Sequence, residues 1–439
     1  AMSKNILLVI PRYLIYGTHY VMPLGILYVS AFLKRAGMEV HTLNLNHHKG
    51  DEREIVRQHI RANHIRYVGI GGLSGEYSDL RRITAWVRED FPNVRIIVGG
   101  GIMTGDPVNT MKAFPEADYG VVGEGEQTML ELLQMEQPSD IQHIHGLIYR
   151  NGEELIQTCW RKEIADLDSL PIPDYEGFDY GEYLVENPDL SDENKKYSQV
   201  SVIGGRSCKY NCTFCFHPSG STYRQRSLDS VFAEIDWLVA HYPISYIALR
   251  EELFATDNGR VREFCKRVKQ YDFDWSIQLR IDNVNDELIA MLCGTRCRYI
   301  FVGVESACNE VLKSMHKGIT IEQVELALYK LKQANLNFRT GIILGDTEDN
   351  WDTVHRSLQW FHDHPHYRMY VDMIIAFPGS RLYKRAVAAG VIDNPVRFLQ
   401  QNCPIVNVSK LTDGEYRQVV QEVEQINHRH YHVYTPDNH

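Results

Sequence analysis

The chain has 439 residues, with 46 Lys and Arg against 57 Asp and Glu, a formal net charge of −11. A hydrophobic share of 44% and a charged share of 23% exclude a disordered or fibrous chain, and at roughly 150 residues per domain the length predicts two to three domains. The sequence has no apolar run of the roughly 20 residues that span a bilayer and no basic-then-apolar leader, so the expectation is no membrane and a cytoplasmic setting. The acidic balance argues against a nucleic-acid partner.

Residues 5–10 (NILLVI) read as a buried parallel strand. From Leu24, apolar residues at Leu27, Tyr28, Ala31 and Phe32 lie on one helical face, stopped by Gly37 just after Lys34 and Arg35. Strands predicted at 38–45, 66–71, 94–99 and 119–122 alternate with helical stretches, so residues 1–150 form an α/β domain with a doubly wound parallel sheet. Ligands of such sheets bind beyond the carboxyl ends of the strands. Those ends carry Gly71-Gly72-Leu73-Ser74-Gly75, Gly99-Gly100-Gly101 and Gly123-Glu124-Gly125-Glu126. Tight turns explain any one of these loops; three on one edge favour a sizeable ligand. Neither a G-x-G-x-x-G fingerprint nor a P-loop is present.

Residues 151–197 carry Pro171, Pro173 and Pro188, the acidic Asp166–Asp168 and the charged run 192–196, and are expected to be a partly ordered linker. Strands follow at 198–205, 245–250, 275–281, 299–304, 338–344 and 370–376. Eight strand–helix units need about 250 residues, so a partial (β/α)6 barrel over 198–385 is the expectation. Residues 386–439 read as a short, mainly helical C-terminal segment.

Nine cysteines without a leader do not form a disulfide framework. Cys159, Cys265, Cys293, Cys297, Cys308 and Cys403 stand singly or in apolar contexts that suit buried thiols. Cys208, Cys212 and Cys215 form C-x3-C-x2-C directly after a strand, close enough to surround one metal centre. Two readings stay open: an iron–sulfur cluster with one iron left free, or a Cys3His zinc site completed by His217.

The loop, with Phe214 before its last cysteine and a six-unit partial barrel around it, resembles the radical S-adenosylmethionine (SAM) superfamily. The resemblance implies a 4Fe–4S cluster on Cys208, Cys212 and Cys215, with SAM on the open iron, reduced by an external one-electron donor such as flavodoxin or ferredoxin. It also implies cleavage to a 5′-deoxyadenosyl radical that removes a substrate hydrogen. Further matches imply SAM contacts at Phe214, Glu252, Arg280, Gly303, Glu305, Ser306, Gly341 and Ile343. After the fifth strand, Gly345-Asp-Thr-Glu-Asp departs from the family's Gly-x-Pro-Gly-Glu-Thr.

The first domain resembles the Rossmann-like cobalamin-binding domain that precedes one radical SAM class. That likeness rests on Pro23-Leu24-Gly25, Gly99–Gly101 and the 123–126 loop. It implies cobalamin contacts at Leu24, Gly72, Leu73, Ser74, Gly99, Gly100, Gly101, Gly123, Glu124, Gly125 and Glu126. The Asp-x-His-x-x-Gly loop of cobalamin mutases is absent, which implies cobalt without a protein imidazole and with Leu73 or Tyr77 beneath it.

The function so implied is methyl transfer from SAM, by way of methylcobalamin, to an unactivated carbon of a small molecule. The alternatives are a non-methylating cyclisation or rearrangement with the same cofactors, and a cobalamin sensor without catalysis. No catalytic acid or base is assigned. The runs His362/His364/His366 and His428/His430/His432 read as solvated histidines. Arg224, Arg226, Arg250, Arg339, Tyr370 and Arg381 are substrate-contact candidates for which salt bridging is an equal reading.

Overall fold

A computed structural model describes residues 4–14, 20–186 and 198–432; His19 and the charged run 192–196 lie outside the described residues. The first sheet contains β1 (Ile6–Ile10), β2 (Val40–Asn44), β3 (Tyr67–Gly71), β4 (Arg95–Gly99), β5 (Tyr119–Val121), β6 (Leu147–Asn151) and β7 (Glu154–Gln157), in spatial order 2-1-3-4-5-6-7. The first five strands in that order pair in parallel, as expected from the strand–helix alternation. All five residues of β1 are buried, consistent with an apolar run covered on both faces. The helices Leu24–Arg35 and Gly125–Gln134 lie together, as do Glu52–Ala62 and Tyr77–Asp90.

The hairpin of β6 and β7 was not anticipated. Both strands are antiparallel additions to the edge, and β7 falls within the expected linker. Residues 161–186 are likewise packed, with Tyr175, Phe178 and Tyr180 fully buried. The Tyr175 hydroxyl donates to Glu234 and the Asp174 carboxylate accepts from Ser30 and Lys34, so this stretch joins helices of both halves. Its prolines and acids read as a partly ordered linker because an aromatic cluster without helical or strand period gives no periodic signal.

The second half begins with β8 (Gln199–Val202), β9 (Gly205–Arg206) and β10 (Arg224–Gln225), the last two forming a small antiparallel pair. Then come β11 (Tyr246–Leu249), β12 (Asp274–Leu279), β13 (Cys297–Val302), β14 (Phe338–Leu344) and β15 (Arg368–Met373). The large sheet is parallel throughout in order 8-11-12-13-14-15, and its end strands do not pair, which is an open six-strand partial barrel. Ser227, Asp257, Asn285, Thr320 and Asn350 open the helices between these strands, each accepting a helical amide on its side chain. Such caps contribute about 1 kcal/mol each.

The C-terminal helix Asp413–His432 packs on β15, burying Val419, Val423 and Ile426. The helix Pro395–Gln400 instead packs on Pro107–Ala113 of the first half. Asn402 receives the Ser78 amide at 2.8 Å, and the Tyr383 hydroxyl donates to Asp106 at 2.7 Å. The C-terminal segment therefore straps the two halves together.

Candidate active site

The cysteine loop leaves β9 and returns through β10, so an antiparallel pair closes its base. Ser207 at φ 66° turns the chain and donates its hydroxyl to the Gly220 carbonyl at 2.7 Å. The Cys215 amide donates to the Cys212 carbonyl at 3.2 Å, and the Thr213 amide to the Met315 carbonyl at 3.0 Å. All three thiols are free and line one cavity of about 870 Å³ at the carboxyl end of the barrel strands. Cys212 is pulled below the ordinary thiol range to about 6, first by its hydrogen bond with Cys215 and then by the charges of Lys317 and Arg280. Cys215 is raised by the same bond. The pair shares one proton next to two cations, an environment that favours a thiolate.

The facing wall is ionic. Lys317, buried, donates to Glu305 at 2.6 Å. Glu305 sits at φ 70°, a conformation costly for a side-chain-bearing residue, held by backbone bonds to Gly341 and Ile343. A Cβ on Gly303 would stand 2.1 Å from the Glu305 Oε1 and 2.7 Å from the Lys317 Nζ, so glycine is required to admit the pair. Gly341 is required too, because its Cβ would meet the Tyr370 ring at 2.2 Å. The Arg280 guanidinium lies 3.6 Å from the Tyr210 ring centroid, pairs with Asp282 at 3.0 Å and donates to the Lys317 carbonyl at 2.5 Å. Phe214, Glu252, Ile343 and Tyr370 complete this wall, while Val420 and Val423 of the C-terminal helix close its side.

A second cavity of about 800 Å³ opens at the carboxyl ends of β1, β3, β4 and β5. It is lined by Gly72, Leu73, Gly99, Gly100, Gly101, Gly123 and Gly125, with Pro23, Gly25 and Ile26 at the start of the first helix. Gly100 at φ 81° lies so close to the next loop that a Cβ would be 2.7 Å from the Gly72 amide nitrogen and carbonyl oxygen. Gly123, at φ 80°, has open space where its Cβ would be. Leu73 is 53% exposed and faces this cavity, an apolar side chain set out to be covered. Glu252 lines both cavities and pairs with Nδ1 of His217, which raises the histidine pKa.

The remaining site candidates take the following places. Leu24 is a core residue, and its neighbours Pro23 and Gly25 line the cavity instead. Ser74 is buried outside the lining, as is Tyr77, whose hydroxyl donates to the Ala113 carbonyl at 2.9 Å. Ser306 accepts the Cys308 amide at 3.1 Å rather than facing the cysteine cavity, so it caps a turn. Glu124 and Glu126 reach the glycine cavity, yet their carboxylates hold Arg206 at 2.6 Å each, and Glu124 also holds Arg224 at 2.8 Å. Arg226 pairs with Glu234 at 2.5 Å. Residues unnoticed in the sequence are Lys317, Tyr210 and Arg206. The signal for Lys317 was Met315-His316-Lys317-Gly318, a helix end with φ 53° at His316 and 71° at Gly318.

A B12 binding domain matches residues 15–133, and the radical SAM superfamily matches residues 202–361. The chain carries a B12 binding domain followed by a radical SAM domain. An uncharacterized methyltransferase of Pyrococcus horikoshii is 25% identical over 330 residues, 74% of this chain and 70% of that one. The anaerobic magnesium-protoporphyrin IX monomethyl ester cyclase of Synechocystis is 25% identical over 321 residues, covering 72% of this chain but only 62% of the cyclase. The radical SAM methyltransferase TsrM of Kitasatospora setae, solved with cobalamin and a 4Fe–4S cluster, has the same fold, with a TM-score of 0.73, 19% identity, and coverage of 89% of this chain and 79% of that one.

The residues of this radical SAM protein fit the cofactors its domains imply. Three free thiols with neighbouring cations suit a cluster, which Cys208, Cys212 and Cys215 would hold. Among the described residues no three His, Cys, Asp or Glu are grouped to hold a single metal ion, and His217 is engaged by Glu252. The glycine cavity is mainly bare backbone and apolar side chain, and its volume is near the top of the usual range of roughly 300–1,000 Å³ for ligand sites. No helix among the described residues is long and apolar enough to cross a membrane.

Proposed function

We propose that the protein transfers a methyl group from SAM, through cobalamin, to an unactivated carbon of a small molecule. The observation that carries this reading is that Glu252 lines both cavities, which places them on either side of one side chain. A substrate held there stands between both cofactors, which makes successive steps effectively unimolecular. When bound, the cluster with SAM supplies hydrogen-atom abstraction and cobalamin supplies the methyl group. The chain's own residues bind, orient and exclude water. Cys208, Cys212 and Cys215 hold the cluster. Arg280 and the Glu305–Lys317 pair present fixed charges to the polar end of SAM, with Phe214 and Ile343 as its apolar wall. The glycine loops would let backbone approach the corrin, with Leu73 as an apolar contact. The His217–Glu252 pair orients polar groups of the substrate.

An external one-electron donor of the flavodoxin or ferredoxin kind completes the system, and the setting is the cytoplasm. Likeness to the cyclase supports a second reading, in which the same cofactors form a ring without methyl transfer. Anaerobic incubation of the reconstituted protein with SAM, a reductant and candidate metabolites distinguishes them by mass. A product heavier by one methyl group, with 5′-deoxyadenosine released, supports methyl transfer. Deoxyadenosine with no methyl gain supports cyclisation, and neither product defeats both.

A further inference from the structure

The chain is acidic overall, at −11, yet the outside of its cysteine loop is cationic. Lys209, between Cys208 and Cys212, is exposed. Two elements are bonded directly to this loop: the helix end at Met315, which accepts the Thr213 amide at 3.0 Å, and the helix Arg381–Ala388, whose Leu382 amide donates to the Thr213 carbonyl at 2.8 Å. They present exposed Lys313 and His316 from one side and exposed Lys384 and Arg385 from the other, with Arg381 Nη1 3.1 Å from His316 Nδ1 between them. None of these residues lines either cavity. Lys209, Lys313, Arg381, Lys384 and Arg385 form no ion pair among the described residues, whereas Arg206, Arg224 and Arg226 are all paired.

A one-sign patch left unpaired in a chain of opposite net charge serves to steer an oppositely charged partner. Resting on the radical SAM reading above, we infer that this face docks a small acidic one-electron carrier protein. The inner side of the loop faces the cavity for SAM, so the outer face is the short route by which electrons reach the thiolate-held centre. One electron leaves the reduced carrier, which is oxidised by one, and enters the cluster, which is reduced by one; no atom or proton moves.

The test uses the full chain and its triple variant Lys313→Glu, Lys384→Glu, Arg385→Glu, each loaded with iron and sulfide. SAM cleavage to 5′-deoxyadenosine is driven in turn by reduced flavodoxin, reduced ferredoxin and dithionite, at low and high salt. The expected result is carrier-driven cleavage lower by about tenfold or more in the variant at low salt, with the difference shrinking at high salt. Iron content and dithionite-driven cleavage stay within about twofold. Equal carrier-driven rates overturn the proposal, and so does a parallel loss under dithionite. If neither carrier drives the unaltered chain while dithionite does, docking is overturned and the radical SAM reading stands; absence of cleavage with dithionite and a loaded cluster defeats the reading itself. RNA binding lost in the variant, with carrier-driven rates unchanged, also overturns the proposal.

Discussion

The two cavities are built on opposite plans. The cysteine cavity is made of side chains that supply particular atoms: three thiols, a buried Lys317–Glu305 pair, and Arg280 held against Tyr210. The glycine cavity is made by leaving side chains out, so that backbone from β3, β4 and β5 can face one ligand. A cofactor that reacts through its own metal centre, held by thiolates, demands specific donors. A large cofactor held by its periphery demands room. Damage should therefore be specific and total in the first cavity and graded in the second.

The largest effect expected is for Cys212→Ala, which removes one thiol of the proposed cluster site. Iron content should fall and SAM cleavage should drop to background, while cobalamin retention stays normal; retained cleavage would break the contrast. Next is Gly100→Ala, where a Cβ at φ 81° collides with the Gly72 backbone. Cobalamin affinity should weaken by roughly 100-fold, read by titration with hydroxocobalamin, with iron content unchanged. Gly303→Ala pushes the Glu305–Lys317 pair apart. Its KM for SAM should rise about tenfold at unchanged iron and cobalamin content.

The smallest effect concerns the boundary between the cavities. Glu251 is fully buried, and burial pushes its pKa up to about 7 from 4.5, against the pull of Arg260, Arg226 and the Gly204 backbone amide. A raised carboxyl pKa means the folded chain binds more protons than the unfolded one between about pH 4.5 and 7. Stability is therefore lost as pH rises through that window, by at most about 3 kcal/mol. Glu251→Gln should raise the thermal midpoint by a few degrees near pH 8 and leave it unchanged near pH 4. An equal shift at both values would rule out ionisation as the cause.

How legible each region was in the sequence follows from the same contrast. Cys208, Cys212 and Cys215 were readable because their function requires both residue type and spacing. The glycine loops were readable as loops at strand ends, yet the burial of Leu24 and Ser74 outside the cavity lining was not, since periodicity and composition do not say which side of a turn faces a cavity. Glu124 and Glu126 show the sharpest gap. Their partners Arg206 and Arg224 are 80 and 100 residues or so away in the chain, and only packing brings them together. Tyr175, Phe178 and Tyr180 were hidden because their burial depends on surfaces from both halves.

The sequence by itself determined the parallel α/β order, the open six-strand barrel, the thiol triad and the glycine edge, because hydrophobic period, turn chemistry and ligand spacing are local properties. The tertiary structure alone decided that Glu252 lines both cavities, that Lys317 faces Glu305, and that the C-terminal segment straps both halves together. Those are contacts between residues distant in the chain. Burial and charge pairing select them only once the sheets have packed, and no local pattern records that choice.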